Sequence, residues 1–492
     1  MVRYLKALLS FLVLISFLPI TTAQAEQIQT PPDLACYRSL AEIEATAANL
    51  ALQHPELAEW IDIGLSYEGT NPTEQYPGHH LYALKLTNRN NTFLKPALVI
   101  LSGLHAREVL PVETVLRFAE QLLREYSGNE QIRWILDEHE VHMILVGNPD
   151  GRAEMDRERD PNVIPDLSLS HDWIKNTRPT GPCDPATGET QYGVNLKLNF
   201  SGAWKKSTVP APCADNYEGA FAASEPETAA IEDYLESVFG TTGQSSPGLF
   251  LHLGSTLGVY GNLVYMPNTP GEVKGSELYN QFFWLGRKIT YPMGTLKTFD
   301  GSANAFTGSP VDHVYETYAV PSFEVTLGSP SDGYFPPCSK YTGGLFDEFI
   351  SNLMRAARLT PDAIGFAEGP EIVNLTQNEA FTVDKNTVNI QAKASSKIYE
   401  MPPAVPMNIE KVLIYKNLPP SRGGTPCQIL TPAEGAASSE FTFSFSVEKQ
   451  DIGEDRYYIQ PYSIRSDDSL VPGMLTTIQV ALYRAIMPLV TR

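Results

Sequence analysis

The sequence predicts an α/β layered sheet followed by a small all-β sandwich, and two regions of different texture along the chain predict it. From about Leu34 to Leu359, short apolar runs of strand type alternate with stretches of helical spacing, the pattern of a layered sheet whose functional loops lie at strand ends. After Pro361 the runs are short, strand-like and separated by turn-rich pieces, as in a sandwich. With 492 residues, 42% of them hydrophobic, the chain is long enough for two domains, here expected at 34–360 and 365–492.

The elements follow in order. Ala97-Leu98-Val99-Ile100-Leu101 is a buried-strand run. Pro111 then opens a helix with apolar residues at Val112, Val115, Leu116, Ala119, Leu122 and Leu123, proline being tolerated in a first turn. Val141 to Val146 is a second buried strand, ending in the expected turn Asn148-Pro149-Asp150-Gly151. Leu249-Phe250-Leu251 and Ser322 to Leu327 are two more strands. In the C-terminal part, strands are expected at Val388-Asn389-Ile390, Val412 to Tyr415, Phe441 to Val447, Tyr457 to Ile464 and Ile478 to Tyr483. The Phe441 run alternates strictly, so it has one buried and one wet face.

Residues 1–25 read as a secretory signal. Arg3 and Lys6 precede the apolar stretch Ala7 to Ile20, and Ala23-Gln24-Ala25 offers a small-residue cleavage site before Glu26. The apolar run is short for a membrane anchor, and export to the periplasm or beyond, with no stable membrane insertion, is the expectation. The formal charge of −21 becomes −23 without Arg3 and Lys6 (−21 minus 2), which disfavours nucleic acid and anionic membrane as partners. Export permits disulfides among Cys36, Cys183, Cys213, Cys338 and Cys427, and the odd count leaves at least one thiol unpaired within the chain.

Chemistry gathers behind the first buried strand. His105-Ala106-Arg107-Glu108 sets a histidine and a carboxylate three residues apart on a turn leading into a helix, where both can approach one metal ion. The pair alone is a weak signal. A catalytic metal wants a third protein ligand and an open fourth position, and His252, at the end of Leu249-Phe250-Leu251, is the natural candidate.

The context strengthens the reading. Ser102 to Glu108 resembles the first zinc motif of the carboxypeptidase A-like metallocarboxypeptidases, and Ile63 to Gly69 resembles the stretch before it. Asn148 to Gly151 resembles the family's NPDG turn, Gly193 to Phe200 its GVDLNRNF segment, Ser224 to Thr228 its SEPET-like helix start, and Asp312 to Thr326 its last active-site stretch. These pieces come in family order. The resemblance implies a mixed sheet sandwiched by helices, Zn2+ as cofactor, and hydrolysis of C-terminal residues from peptides by a metal-activated water. It implies His105, Glu108 and His252 as zinc ligands, Arg107 and Tyr315 as catalytic and substrate-binding residues, and a Cys183–Cys213 disulfide.

Several positions depart from the family. Its strand ending Thr-x-Glu, with Glu as general base, reads Glu324-Val325-Thr326 here. Residues two apart on a strand face the same side, so Glu324 still points at the site. There it either lines the side-chain pocket, selecting a basic residue, or reaches the metal's water. The Asn-Arg pair that holds a substrate carboxylate is Lys197-Leu198, leaving Lys197 as a point charge without the planar fork. The oxyanion arginine falls on Ile174, with Arg157 or Arg159 as substitutes, and the aspartate orienting the first zinc histidine is Asn195. Two functions stay open: an active zinc peptidase using Glu324, or a zinc-binding pseudo-peptidase that binds peptides or carboxylates without turnover. A surface-interaction protein built around the β-domain is a third.

Overall fold

The computed structural model describes residues 36–158, 173–181, 183, 192–204, 212–240, 248–255, 263–265, 267, 277–290, 297–299, 308–328, 336–340, 344, 346–377, 387–397, 407–436, 438–448 and 455–479. The expected signal segment 1–25, Arg159 and the end of the Ile478–Tyr483 run lie outside them.

The first part carries α1 (Leu40–Gln53), β1 (Ala58–Leu65), α2 (Tyr67–Thr70), β2 (His80–Leu86), β3 (Ala97–Leu101), α3 (Val109–Glu125), α4 (Glu130–Glu138), β4 (Glu140–Ile144) and α5 (Pro149–Glu158). Then come α6 (Pro226–Phe239), β5 (Gly248–Ser255), β6 (Leu263–Tyr265), α7 (Glu277–Thr290), β7 (Lys297–Phe299), α8 (Pro310–Tyr318), β8 (Ser322–Leu327) and α9 (Phe346–Leu359). The strands form one eight-stranded sheet in the order β1-β2-β4-β3-β5-β8-β6-β7. Its centre, β4-β3-β5-β8, is parallel, while β1, β2 and β6 join antiparallel neighbours. The mixed sheet is therefore as expected.

Alternation sorts the strand residues between two helix layers. On one face Leu98, Ile100, Leu249, Leu251, Leu253, Phe323 and Val325 pack with residues of α3, α4, α7 and α9. On the other, Val99, Leu101 and Phe250 pack with Ile231 and Leu235 of α6 and Val311 and Val314 of α8. Proline at 111 falls in the first turn of α3, where its missing N–H breaks no helical bond. The expected turn at 148–151 is instead the start of α5. The Gly151 N–H donates to Asn148 Oδ1 at 3.0 Å and the Arg152 N–H to the Asn148 carbonyl at 3.0 Å. Asparagine caps, and proline sits where a first turn needs no donor.

Beyond α9 come β9 (Glu371–Gln377), β10 (Thr387–Ser395), β11 (Asn408–Lys416), β12 (Pro426–Leu430), β13 (Glu440–Glu448), β14 (Arg456–Ile464), β15 (Leu470–Pro472) and β16 (Thr476–Gln479). A sheet β13-β10-β9 and a sheet β12-β11-β14-β15, with β16 on β14, are antiparallel throughout. They share one core of Ile390, Ala392, Val412, Ile414, Phe443, Phe445 and Ile459. Phe443, Phe445 and Val447 are buried while Thr442, Ser444 and Ser446 are exposed, the alternation expected of that run. Ion pairs join this unit to α4: Arg456 reaches Glu130, Asp137 and Glu138.

Cys183 pairs with Cys213 as the resemblance implied, and Cys36 pairs with Cys338 across 302 residues. Cys427 is a free, exposed thiol.

Candidate active site

The parallel strands deliver their C-terminal ends to one edge of the sheet, on the face covered by α6 and α8. Gly103, at φ +67°, turns the chain off β3, a conformation glycine adopts without steric cost. His105 follows in that turn. Glu108 occupies the N-cap position of α3, yet its side chain makes no capping bond. It is buried and meets His105 instead, with His105 Nδ1 3.0 Å from Glu108 Oε1.

The other face of the imidazole is fixed from the 193–200 segment. Asn195 Nδ2 donates to the Asp215 carbonyl at 2.9 Å, which turns Asn195 Oδ1 toward His105 Nε2 at 3.0 Å. A neutral imidazole carries one N–H. With one ring N–H given to Asn195, Nδ1 is the atom that a cation would share with the Glu108 carboxylate.

His252 on β5 and Glu324 on β8 are direct neighbours in the parallel register, as are Gly254 and Thr326. All four point to the α6/α8 face, because their alternates Leu253 and Val325 belong to the opposite core. Glu324 Oε2 stands 3.9 Å from His252 Nδ1, and Lys197 Nζ donates to Glu324 Oε1 at 2.5 Å. Gly254 opens the space between: from the point a Cβ would occupy there, Glu108 Oε2 is 3.3 Å, Glu324 Oε1 3.7 Å and Thr326 Cγ2 3.9 Å. Burial alone would raise the Glu324 carboxyl, but Lys197 and His252 hold it well below the usual carboxylate range. Glu108 is likewise buried, and His105, with Lys197 and His252 further off, keeps it below its ordinary value.

Two imidazoles and a carboxylate are the donor chemistry of a catalytic zinc site. Both ring nitrogens of His252 are buried without a hydrogen-bond partner, an orphaned state that a metal relieves. In the arrangement as it stands, no three His, Cys, Asp or Glu side chains among the described residues form a metal-holding group. His105 and Glu108 spend a donor atom each on their mutual contact. The residue types and the orphaned imidazole fit zinc.

The remaining sequence candidates lie around this core. The Arg107 N–H donates to the Trp173 carbonyl at 2.9 Å, tying the motif to the 173–176 loop. Tyr315 is half-buried on α8 with its ring edge-on to Phe282, centroids 5.1 Å apart. Leu198 and Ile174 are buried apolar side chains, so neither position offers a charge. Arg157 pairs with Glu154 and lies over the Tyr76 ring. Lys175, next to the vacated arginine position, is fully buried and donates to the Pro212 carbonyl at 3.2 Å.

Three features escaped the sequence reading. Gly254, two residues beyond His252 on one strand, carried its signal only in that spacing. Asn148 Nδ2 donates to the carbonyls of Leu104 at 3.1 Å and Lys175 at 2.9 Å, stitching the loop before His105 to the 173–176 loop. Behind it lies a nest of buried acids. Glu227 accepts from the Tyr67 N–H at 2.9 Å and Asn176 Nδ2 at 3.3 Å, and Asp150 accepts from the Glu68 N–H at 2.8 Å. Burial, with the charges of Asp150 and Glu225 adding, pushes Glu227 up to about 8, against the Tyr67 N–H that favours the anion.

Residues 43–342 match the family model described as zinc carboxypeptidase. Over 203 residues, 41% of this chain and 42% of the relative, the sequence is 28% identical to carboxypeptidase A1 of Bos taurus. Over 206 residues, 42% of this chain and 43% of the relative, it is 26% identical to carboxypeptidase B of Rattus norvegicus. The chain thus spans less than half the length of these curated relatives. Among solved structures, thrombin activatable fibrinolysis inhibitor shares the fold at a TM-score of 0.52 and 20% identity, over 66% of this chain and 74% of that one. Carboxypeptidase A from Helicoverpa armigera does so at 0.52 and 19%, over 66% and 73%.

Proposed function

The chain belongs to the zinc carboxypeptidase family, and from that premise we propose that it is an exported, zinc-dependent peptide hydrolase whose base has moved from position 326 to Glu324. The observation that carries this reading is the Glu324 carboxylate lying 3.9 Å from His252 Nδ1 on the neighbouring strand. His105, Glu108 and His252 are the residues that would hold the metal. When bound, zinc polarises the scissile carbonyl and acidifies a water.

The chain's own groups do the rest. Asn195 Oδ1 keeps the His105 ring in one orientation and its proton on Nε2. Lys197 holds the Glu324 carboxylate against the site, where Oε2 is the atom to accept a proton and hand it to the leaving amine. Arg107 and Tyr315 are assigned to the substrate, and the peptide is the proposed partner. Thr326 has no titratable group and serves as packing beside Gly254.

A second reading is favoured by one observation: the 2.5 Å ion pair with Lys197 leaves Glu324 a weak base. On that reading the protein binds metal and peptide without turnover. The zinc-loaded full chain, incubated with a peptide mixture and followed by mass spectrometry, separates the two. Chelator-sensitive cleavage that drops about 10²–10⁴-fold in Glu324→Gln is expected of the enzyme. Stoichiometric zinc without cleavage sinks it and leaves the binding protein.

Export rests on the leader at 1–25 and is supported by the two disulfides. Among the described residues, no helix is long and apolar enough to cross a membrane. The proposed division is a zinc carboxypeptidase-like domain at 34–360 and a β-sandwich domain at 365–492.

A further inference from the structure

The Lys197–Glu324 pair has a consequence for what the site accepts. Among the described residues, Lys197 is a cation that reaches the β5/β8 floor, and its ammonium is held by Glu324 Oε1 at 2.5 Å. Both side chains are largely sheltered, at 22% and 12% exposure, so water screens the pair poorly. The adjoining position is Leu198, buried at 7% exposure.

A peptide ending in a free carboxylate at this place would set its charge beside that of Glu324. It would also compete with Glu324 for one ammonium, with no guanidinium fork at 198 to receive it. A neutral amide oxygen meets a different environment. An ammonium has three N–H donors, so Lys197 can keep Glu324 and still donate to a carbonyl, with no like charge introduced.

We propose that the Lys197–Glu324 ion pair is a specificity determinant, making this a site for peptides whose end at Lys197 is uncharged, amidated or continuing as chain, rather than a free terminal carboxylate. The inference rests on the peptide-hydrolase reading and refines its substrate.

The test uses the zinc-loaded full chain and two peptides of one sequence, one a free acid and one a C-terminal amide. Binding is measured by calorimetry and cleavage by mass spectrometry. The amide is expected to bind or react at least tenfold better, about 1.4 kcal/mol. Glu324→Gln, which releases the ammonium while preserving shape, is expected to shift binding toward the acid by a similar factor. An acid preferred or equal in the wild type overturns the proposal while leaving the hydrolase reading intact. An unchanged preference in Glu324→Gln also overturns it, since the pair would then not be the cause. If neither peptide binds or is cut, the proposal falls together with the reading beneath it.

Discussion

Replacing Glu227 by glutamine should flatten the dependence of stability on pH and leave the protein more stable in mild alkali. Glu227 is fully buried on α6, accepts from the Tyr67 N–H, and lies near Asp150, whose Oδ1 is buried without a partner. Its carboxyl holds a proton up to about 8 in the fold, whereas an unfolded chain releases it near ~4.3. Between those values the folded state binds more protons than the unfolded state. Its contribution to stability is therefore fully present below about pH 4 and is lost as pH rises through about 8.

At about 1.36 kcal/mol per pH unit the full loss is on the order of 4–5 kcal/mol, shared with Asp150, which is itself raised to about 6 chiefly by burial. Glutamine keeps an oxygen for the Tyr67 N–H and gives up the 3.3 Å contact from Asn176, which retains Glu225 at 2.9 Å. Urea midpoints for wild type and Glu227→Gln from pH 5 to 9 provide the assay. The wild type should lose stability across this range, and the variant should lose less, crossing above it by pH 8. Parallel curves would refute the argument, because they would show Glu227 already ionised in the fold or its charge answered elsewhere.

Two further outcomes follow from contacts already described. Asn195→Ala should weaken zinc binding about 10–100-fold in chelator competition while leaving the fold intact, because His105 loses the acceptor that fixes its ring; unchanged affinity would deny Asn195 that role. Arg456→Met should destabilise the chain by about 3–5 kcal/mol in urea, because Glu130, Asp137 and Glu138 then lose their shared cation. A loss under about 1 kcal/mol would mean that water reaches the cluster and screens it.

Ala97–Leu101, which coincides with β3, was legible because burial on both faces writes itself as an unbroken apolar run, and Ser322–Leu327, which coincides with β8, because its polar and apolar residues alternate. That alternation made the side of Glu324 legible, since period two puts it on the face of Thr326, while its pairing with His252 needed the sheet. Strands β6 and β7 span three residues each, too few for any period to register. At Asn148–Gly151 the residues that make a turn are also those that start a helix, and the bonds back to Asn148 decide for α5. What no local pattern carries is partnership. Lys197 and Glu324 stand 127 positions apart, and the sequence flagged each without joining them. The Cys183–Cys213 bridge came from the family resemblance, while Cys36–Cys338 needed the fold.

That second bridge also changes what kind of object the chain is. Joining residue 36 to residue 338 closes a covalent ring of 302 residues' separation around the proposed site of His105, Glu108, His252, Asn195, Lys197 and Glu324. The strands after α9 hang from it as a tail. One cut inside the ring leaves a single molecule, still tethered at both ends of the break and able to keep its site assembled. One cut in the tail leaves what lies beyond it held by non-covalent contacts alone, those of Arg456 with α4 among them. In a compartment that holds proteases, the chain is thus covalently insured against a single nick along the stretch that holds the proposed site, and not along the stretch beyond it.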